Sequence, residues 1–365
     1  ISKSMDRYIA IDSGKHATKV ATYNVEDKTI TKFCFHTRMS EGYFEDDSIE
    51  SGTFIVELGG HVYKIGKGAR NKAALETSKT SEIHKACTLS AIAMCVGDGD
   101  TVHVAVGIPV TEFVNVLNRN EYRDFILPTE PVTVKMKTKN ETPPITKTFT
   151  IETRLVCPES GGVLYLNPEK YELSTTAVLD IGSLNVNGTY WEGFDMNPDY
   201  NFTGELGSSI LISGLAQKLS ASFSRCNESL INEILKQPSE NRCLPKTTGE
   251  IAKQSKEVIH TYLIEHVNKI KEKCNTANWA MDYMTVVFVG GTSKLLESEL
   301  KECFGNDIII ADSPSYANVE GFLAKLCARK LRIMLYDTET EANVNEIPNN
   351  IPSEPIVPIP QKRKA

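Results

Sequence analysis

The 365-residue chain lacks the sequence features of a disulfide-stapled, zinc-binding or membrane-spanning protein. Its nine cysteines are an odd number without a C-x-x-C pair, so we expect reduced thiols rather than a disulfide framework. His260 and His266 lie six residues apart on a predicted helix and point in different directions, which argues against zinc. No apolar run reaches the roughly 18 residues of a membrane helix, and no signal-peptide segment is evident. We therefore expect a cytoplasmic protein without a membrane contact.

The chain also lacks an excess of basic residues. Forty Lys and Arg against 47 Asp and Glu give a net charge of −7. Because a nucleic-acid-binding surface usually carries a basic excess, we expect no direct nucleic-acid binding by the body of the protein. Apolar residues make up 41% and charged residues 24% of the sequence, as in ordinary globular proteins. The length exceeds that of a typical single domain and predicts two lobes, each with its own core.

One sequence pattern occurs twice. An apolar strand-like run, a carboxylate, a glycine and then small polar residues read IAIDSGKHATK near the N-terminus and AVLDIGSLNVN near the middle. Gly14 and Gly182 let the backbone turn sharply and approach phosphate oxygens without a Cβ in the way. Asp12 and Asp180 are hard oxygen ligands, which hold Mg²⁺ mostly through its waters. The alternative for either copy alone is a strand ending in a β-turn, but the pair predicts two related lobes that face each other.

The rest of the sequence alternates strand-like and helix-like segments. The first half predicts strands over 20–24 and 29–35, a hairpin of 54–58 and 61–65, a helix over 81–96, a buried parallel strand over 101–108, and an exposed hairpin or edge region over 129–155 that contains Pro143-Pro144. The second half predicts helices over 204–219, 251–273, 295–303 and 316–332 and strands over 284–289 and 308–311. After Tyr336 the sequence is rich in Glu, Asn and Pro, which predicts a mobile, polyproline-like tail.

Seven short motifs follow each other in an order typical of one superfamily. They are Asp12-x-Gly14, Ile108-Pro-Val-Thr-Glu112, Cys157-Pro-Glu-Ser160, Asp180-x-Gly182, Glu205-Leu-Gly207, Val289-Gly-Gly291 and Ser315-Tyr-Ala-Asn-Val-Glu-Gly321. The set runs from about Arg7 to Arg329 and resembles the actin/Hsp70/sugar-kinase superfamily. Within it, the second and third motifs are similar to those of the ParM-type plasmid-segregation actins.

The resemblance implies an α/β, actin-like ATPase fold of two related lobes, each split into two subdomains, with a nucleotide cleft between the lobes. Lobe I would comprise 1–170 plus 312–335, with a small subdomain inserted at 33–78. Lobe II would comprise 171–311, with a small subdomain inserted at about 205–278. The Pro-rich tail, 336–365, is then either a regulatory or adaptor-binding segment or only a disordered end.

The resemblance also implies roles for individual residues. The implied nucleotide-binding residues are Asp12, Ser13, Gly14, Lys15, Lys19, Gly182, Ser183, Leu184, Asn185, Gly207, Gly290, Gly291 and Thr292. Asp12 and Asp180 would hold Mg²⁺, mainly through water, and the implied catalytic residues are Glu159 and Asp180. The chain departs from the family pattern at Ser183, where glycine is commoner, and at Asn187, where an acid is usual.

Glu159 also fits its implied role on chemical grounds. Phosphoryl transfer needs positioning, charge neutralisation and an acceptor that orients the attacking water. A carboxylate after the rigid Pro158 supplies such an acceptor, and the alternative is a solvated surface glutamate. The sequence also leaves two alternatives for Lys15, a contact with a phosphate and a solvent-exposed position.

The functional expectation follows from the resemblance. It implies a filament that assembles with ATP or GTP and Mg²⁺, disassembles after hydrolysis to ADP and phosphate, and segregates plasmid DNA through a centromere-binding adaptor protein. The alternatives are a small-molecule kinase on the same fold and a chaperone-like nucleotide switch. Residues 36–80 are small and charged for a sugar kinase, and few residues remain after the last helix for a chaperone substrate domain.

Overall fold

The structure, a computed structural model, describes residues 4–47, 49–73, 78–139 and 143–336, together with the backbone of 343–346. The chain forms two compact units, Ile1–Leu166 with Asn318–Ala365 (unit 1) and Asn167–Ala317 (unit 2). The predicted tail, 336–365, lies outside the described residues apart from Tyr336 and one strand. Within the described ranges, no helix is both long and apolar enough to cross a bilayer.

The described residues alternate between strands and helices. The strands are β1 Asp6–Ser13, β2 Ala17–Asn24, β3 Thr29–His36, β4 Arg38–Glu41, β5 Thr53–Leu58, β6 His61–Gly66, β7 Asn71–Lys72, β8 Thr101–Ile108, β9 Val132–Lys137, β10 Ile145–Pro158, β11 Thr175–Ile181, β12 Val186–Glu192, β13 Asp195–Met196, β14 Phe202–Gly204, β15 Thr285–Val289, β16 Ile309–Ile310 and β17 Asn343–Glu346. The helices are α1 Glu82–Cys95, α2 Val110–Phe113, α3 Val116–Ile126, α4 Pro168–Tyr171, α5 Ser208–Ser222, α6 Glu228–Leu235, α7 Gly249–Thr276, α8 Gly291–Leu295, α9 Glu297–Phe304 and α10 Ala317–Leu331.

Unit 1 is built on one sheet in the order β17-β3-β2-β1-β8-β10-β9-β5-β6-β4-β7. Its centre is parallel, since β8 runs parallel to both β1 and β10, whereas β2 runs antiparallel to β1. Every residue of β8 after Thr101 is buried, which explains the near-continuous apolar run of this strand, interrupted only by His103. The predicted helix over 81–96 and the predicted strand over 101–108 are confirmed as α1 and β8.

The prediction for 129–155 is only half right. β9 and β10 form the expected antiparallel hairpin, but neither lies at an edge, because β9 is flanked by β5 and β10 by β8. Pro143 and Pro144 precede the first residue of β10, so they interrupt no ladder. An irregularity between Ile151 and Thr153 lies in the half of β10 that pairs with β8. A strand of 14 residues that changes partner cannot be recognised from local alternation alone.

Unit 2 contains a second sheet in the order β13-β12-β11-β15-β16, with β14 paired to β12. Here β11 runs antiparallel to β12 and parallel to β15, which repeats the relation of β1 to β2 and β8. The two copies of the sequence pattern therefore fold into the same local topology. The helix predicted over 251–273 is confirmed as α7, and the one predicted over 295–303 is confirmed as α9, with the short helix α8 directly before it.

All nine cysteines are free thiols, and Cys87, Cys95 and Cys327 are buried, as expected of small hydrophobic residues. In the described part of the chain, no group of three or more His, Cys, Asp or Glu side chains is arranged to hold a metal ion.

Candidate functional site

The first predicted phosphate loop connects β1 to β2. The Gly14 N–H donates to the carbonyls of Asp12 and Ala17, both at 3.0 Å, which closes a tight turn. A Cβ on Gly14 would lie 3.0 Å from the Ala17 oxygen, so a larger residue would strain this turn. Beneath it, the hydroxyls of Ser13 and Thr18 lie 3.2 Å apart and both residues are buried. The loop is therefore held by its own backbone and by a buried polar contact.

Three parallel strands bring the chemical groups of unit 1 to one edge of the sheet. Asp12 lies near the carboxyl end of β1, and Glu159 directly follows β10, with β8 between the two strands. The Glu159 N–H donates to the carbonyl of Ile108, the last residue of β8, at 2.9 Å. Because the carboxyl ends of parallel strands meet at the same edge, the topology itself places the two carboxylates near each other.

A buried lysine joins these carboxylates. The Nζ of Lys79 lies 3.3 Å from Asp12 Oδ1 and also pairs with Glu159 Oε1. The three side chains are 4%, 8% and 12% exposed, respectively, so the cluster is largely shielded from water. Lys79 enters from the segment just before α1 and is 67 residues from Asp12 and 80 from Glu159 in sequence. Lys79 could not be predicted from the sequence, since no local motif marks it.

The opposite charges of this cluster stabilise one another in their ionised forms. Burial alone would raise the pKa of Asp12, but the Lys79 and Lys19 ammonium groups outweigh it and leave the pKa below its ordinary value. Burial alone would lower the pKa of Lys79, but the Glu159 and Asp12 carboxylates raise it well above its ordinary value. Lys19 is the cross-strand partner of Asp12 in the β1–β2 ladder. We conclude that the site holds an ionised Asp12 carboxylate beside a buried, charged ammonium.

Ser160, directly after Glu159, has an unusual backbone. Its φ is +70°, in the left-handed region that non-glycine residues rarely adopt. The residue is fully buried, its N–H donates to Asn318 Oδ1 at 3.0 Å, and its Oγ has no hydrogen-bond partner among the described residues. Such a conformation persists only where its surroundings impose it, and it is common at functional sites. The sequence contained no signal for it, because a serine does not predict positive φ.

The second predicted phosphate loop, Gly182–Asn185, is clamped by the start of α5. The carbonyls of Gly182, Ser183 and Leu184 accept from the N–H groups of Ser208, Ser209 and Gly207, at 3.0, 2.8 and 3.0 Å. Because N–H and C=O point in opposite directions in a peptide plane, the N–H groups that follow these carbonyls point away from α5. The loop thus presents successive backbone donors, at 183, 184 and 185, in an arrangement suited to an anion.

Glycines allow this clamp to close. A Cβ on Gly207 would lie 2.5 Å from the Ser183 carbonyl oxygen, so only glycine permits the helix to start so near the loop. Gly290 has a φ of +87°, and a Cβ there would lie 2.5 Å from Asp180 Oδ1. Thr292 Oγ1 donates to the Gly182 carbonyl at 3.1 Å. In unit 2 the structure therefore brings together Asp180, the second loop, Gly207 and the segment 290–292.

Comparisons with known families agree with this geometry. Residues 10–162 match the family model described as "Actin like proteins N terminal domain", and residues 197–325 match the one described as "Plasmid segregation protein ParM, C-terminal". The chain belongs to the ParM-type actin-like proteins. No curated protein sequence matches it significantly.

Solved structures of actin-like proteins share the fold of this ParM-type chain. The Alp12 filament structure is 24% identical, with a TM-score of 0.68 over 89% of this chain and 99% of the other. Ta0583, an archaeal actin homolog, is 17% identical, with a TM-score of 0.70 over 88% and 98%. Bacillus thuringiensis ParM with ATP is 13% identical, with a TM-score of 0.67 over 90% and 100%. The predicted actin-like α/β fold is thus confirmed.

The structure of this ParM-type chain also shows the surroundings of Lys15 and Asn187. Lys15 is half-buried. Three effects lower the pKa of His84: burial is the largest, followed by the charge of Lys79 and then by the charge of Lys15. The Asn187 side chain, at the position where an acid is usual, accepts from Thr203 Oγ1 at 3.0 Å, which ties β12 to β14. An amide suits this contact, although a carboxylate oxygen would accept as well.

The residues present fit a magnesium–nucleotide ligand. Asp12 and Asp180 offer the hard carboxylate oxygens that Mg²⁺ prefers, and each lies beside a glycine turn with no bulky side chain. The Asp180 side chain is half-buried, next to Gly290.

Proposed function

We propose that this chain binds and hydrolyses ATP and assembles into nucleotide-dependent filaments that segregate plasmid DNA. The observation that carries the proposal is the row of backbone N–H groups at 183–185, beside Asp180. They point away from α5, because the start of α5 binds the carbonyls that precede them. Successive backbone donors of this kind are a recurrent way to bind phosphate oxygens. We propose that the nucleotide is Mg-ATP rather than Mg-GTP, and the experiment below tests this choice.

The proposed chemistry uses residues with distinct tasks. The two phosphate loops bind the phosphates, and Asp12 and Asp180 hold Mg²⁺ mainly through its waters. When bound, the metal neutralises charge that develops on the phosphates. Glu159 accepts a hydrogen bond from the attacking water and orients it. Its position near the carboxyl end of β10, with its N–H fixed to Ile108, supports this role.

Assembly and plasmid segregation rest on the family relationship. The structural relatives include the Alp12 filament and ParM of Bacillus thuringiensis with ATP. We propose that subunits of this chain polymerise with ATP, that hydrolysis weakens their contacts, and that a centromere-binding adaptor protein links the filament to DNA. We further propose that each lobe carries a small inserted subdomain, 33–78 in one and about 205–278 in the other.

Right-angle light scattering after addition of Mg-ATP to micromolar protein tests the core of this proposal. Scattering should rise and then decay as the nucleotide is consumed, with phosphate release measured in the same sample. Mg-ADP, ATP with excess chelator, and Mg-GTP are parallel samples. The adaptor is tested by mixing assembled filaments with candidate DNA-binding proteins and centromere DNA and measuring co-sedimentation.

A flat scattering trace with confirmed nucleotide binding would contradict the filament proposal. Phosphate transfer to an added small-molecule acceptor, without assembly, would favour a kinase instead. Assembly that is as fast with Mg-GTP as with Mg-ATP would contradict the choice of ATP.

A further inference from the structure

Lys79 is an unusual residue to find at the first phosphate loop. Its side chain is 4% exposed, and its ammonium contacts one carboxylate from β1 and one from the end of β10. We propose that Lys79 is a positioning residue, which fixes the Glu159 carboxylate relative to Asp12 so that Glu159 can orient the attacking water. This inference rests on the proposed function, because it assigns a task within the same reaction.

Stability does not explain the choice of lysine at this position. Removing an ammonium and two carboxylates from water is costly, and well-packed apolar residues in place of a buried ion pair are often at least as stable. Yet three charged side chains meet here at the functional edge of the sheet. The arrangement is therefore better explained by a requirement for defined geometry than by a gain in folding free energy.

The geometry shows why Glu159 needs a second point of attachment. Its backbone is fixed by the hydrogen bond to Ile108 and by the buried, left-handed Ser160 that follows. A glutamate side chain has three rotatable bonds, and a catalytic acceptor must be held within a fraction of an ångström. The pairing with Lys79 Nζ restricts these rotations and connects the carboxylate to Asp12 on β1.

The other polar groups around Lys79 do not provide this connection. The Tyr122 hydroxyl on α3 donates to the Gly107 carbonyl at 2.9 Å. Glu112 on α2 is half-buried, and no ion pair joins it to Lys79 among the described residues. His84 on α1 contacts Ser81 Oγ through Nδ1 at 2.9 Å. The Lys79 ammonium, in contrast, contacts both Asp12 and Glu159.

The test compares Lys79→Met, Lys79→Arg, Glu159→Gln and the double variant Lys79→Met/Glu159→Gln. Single-turnover hydrolysis of bound Mg-ATP and the affinity for a fluorescent ATP analogue are measured for each. We expect Lys79→Met to slow hydrolysis on the order of 100-fold, as for loss of a positioned acceptor, and to change affinity less than about threefold. The double variant should be no slower than Glu159→Gln, because the two residues act as one unit. Lys67→Met, at an exposed lysine of the same unit, is the matched control.

Two further readouts separate positioning from a purely structural role. Lys79→Arg retains the charge, so its single-turnover hydrolysis rate should be at least about tenfold higher than that of Lys79→Met. This readout remains informative even if the methionine variant folds poorly. In nucleotide-free protein, the losses in Tm of the two single variants should not add in the double variant, since they share one contact. A structural lysine alone would change Tm without a selective effect on hydrolysis.

The outcomes distinguish this inference from the proposed function. Wild-type protein that hydrolyses no ATP contradicts both. Normal hydrolysis by Glu159→Gln contradicts the role of Glu159. Impaired hydrolysis by Glu159→Gln together with normal hydrolysis by Lys79→Met, or fully additive losses in the double variant, contradicts the role of Lys79 alone. A large loss of affinity in folded Lys79→Met would instead identify the lysine as a nucleotide ligand and overturn the positioning role.

Discussion

Gly107 of β8 lies directly against the ring of Phe322 in α10. A Cβ on Gly107 would be 2.6 Å from Phe322 Cε2 and 3.5 Å from Glu159 Cγ. The glycine therefore lets an aromatic ring pack on the central strand of the sheet, and the same atoms adjoin the proposed catalytic carboxylate. Packing at this point of unit 1 and the position of Glu159 are consequently coupled.

We expect Gly107→Ala to destabilise the protein by about 1–3 kcal/mol, the usual cost of overpacking a filled core. It should also slow ATP hydrolysis, because the ring and the Glu159 side chain must both move. Urea unfolding and phosphate release measure the two effects. Gly204→Ala is the control, since its nearest side-chain atoms would be 3.7 Å away. Equal stability and turnover in both variants would show that the Phe322 ring relocates without cost.

The predicted second phosphate loop depends on Gly207 for its conformation. In Gly207→Ala the new Cβ would meet the backbone of Ser183, which cannot rotate away as a flexible side chain would. We expect α5 to move from the loop, the N–H groups at 183–185 to lose their common direction, and nucleotide affinity to fall at least about tenfold, or 1.4 kcal/mol. Equilibrium titration with a fluorescent ATP analogue measures this. Unchanged affinity in a folded variant would argue against the loop as a phosphate site.

Much of this architecture was predictable, because local patterns carry it. The hairpin of β5 and β6, the helix α1 and the buried strand β8 follow from apolar periodicity and from turn glycines. The turns after β1 and β11 could be predicted because the strand–carboxylate–glycine pattern is local and occurs twice. Lys79 could not, since its contacts span 67 and 80 residues and depend on the tertiary fold. The left-handed Ser160 and the interior position of β9 were missed for the same reason.

His84 predicts a specific pH dependence of stability. Burial, together with the Lys79 and Lys15 charges, lowers its pKa from 6.5 to about 3, and its Nε2 has no hydrogen-bond partner among the described residues. Between these two pKa values the unfolded chain binds a proton that the folded protein does not. Stability should therefore fall as the pH decreases from about 6.5 towards 3, by about 1.4 kcal/mol per pH unit over the steep part.

The measurement is the free energy of unfolding at pH 7.5, 6.0 and 5.0 for wild type, His84→Gln and His61→Gln. Glutamine cannot titrate in this range, so His84→Gln should lose less stability than wild type on acidification, by up to about 2 kcal/mol at pH 5. His61 is exposed, and its variant should follow the wild-type curve. Parallel curves for wild type and His84→Gln would contradict the lowered pKa.

A second buried ion pair connects the sheet of unit 1 to its last helix. Lys32 Nζ on β3 lies 2.8 Å from Glu320 Oε1 on α10, and the two side chains are 5% and 8% exposed. Removal of one partner leaves the other charge buried, so we expect Glu320→Gln to cost about 3–5 kcal/mol. Replacement of both, in Lys32→Met/Glu320→Leu, removes both desolvation costs and should recover most of this loss. Glu297 is the control: it is 31% exposed and pairs with Lys294 and Lys301, which are 66% and 42% exposed, so Glu297→Gln should cost less than about 1 kcal/mol. Hydrogen–deuterium exchange of β3 and α10 measures the effect locally. A double variant as unstable as Glu320→Gln would show that the charges stabilise this contact, and that packing between the strand and the helix does not suffice without them.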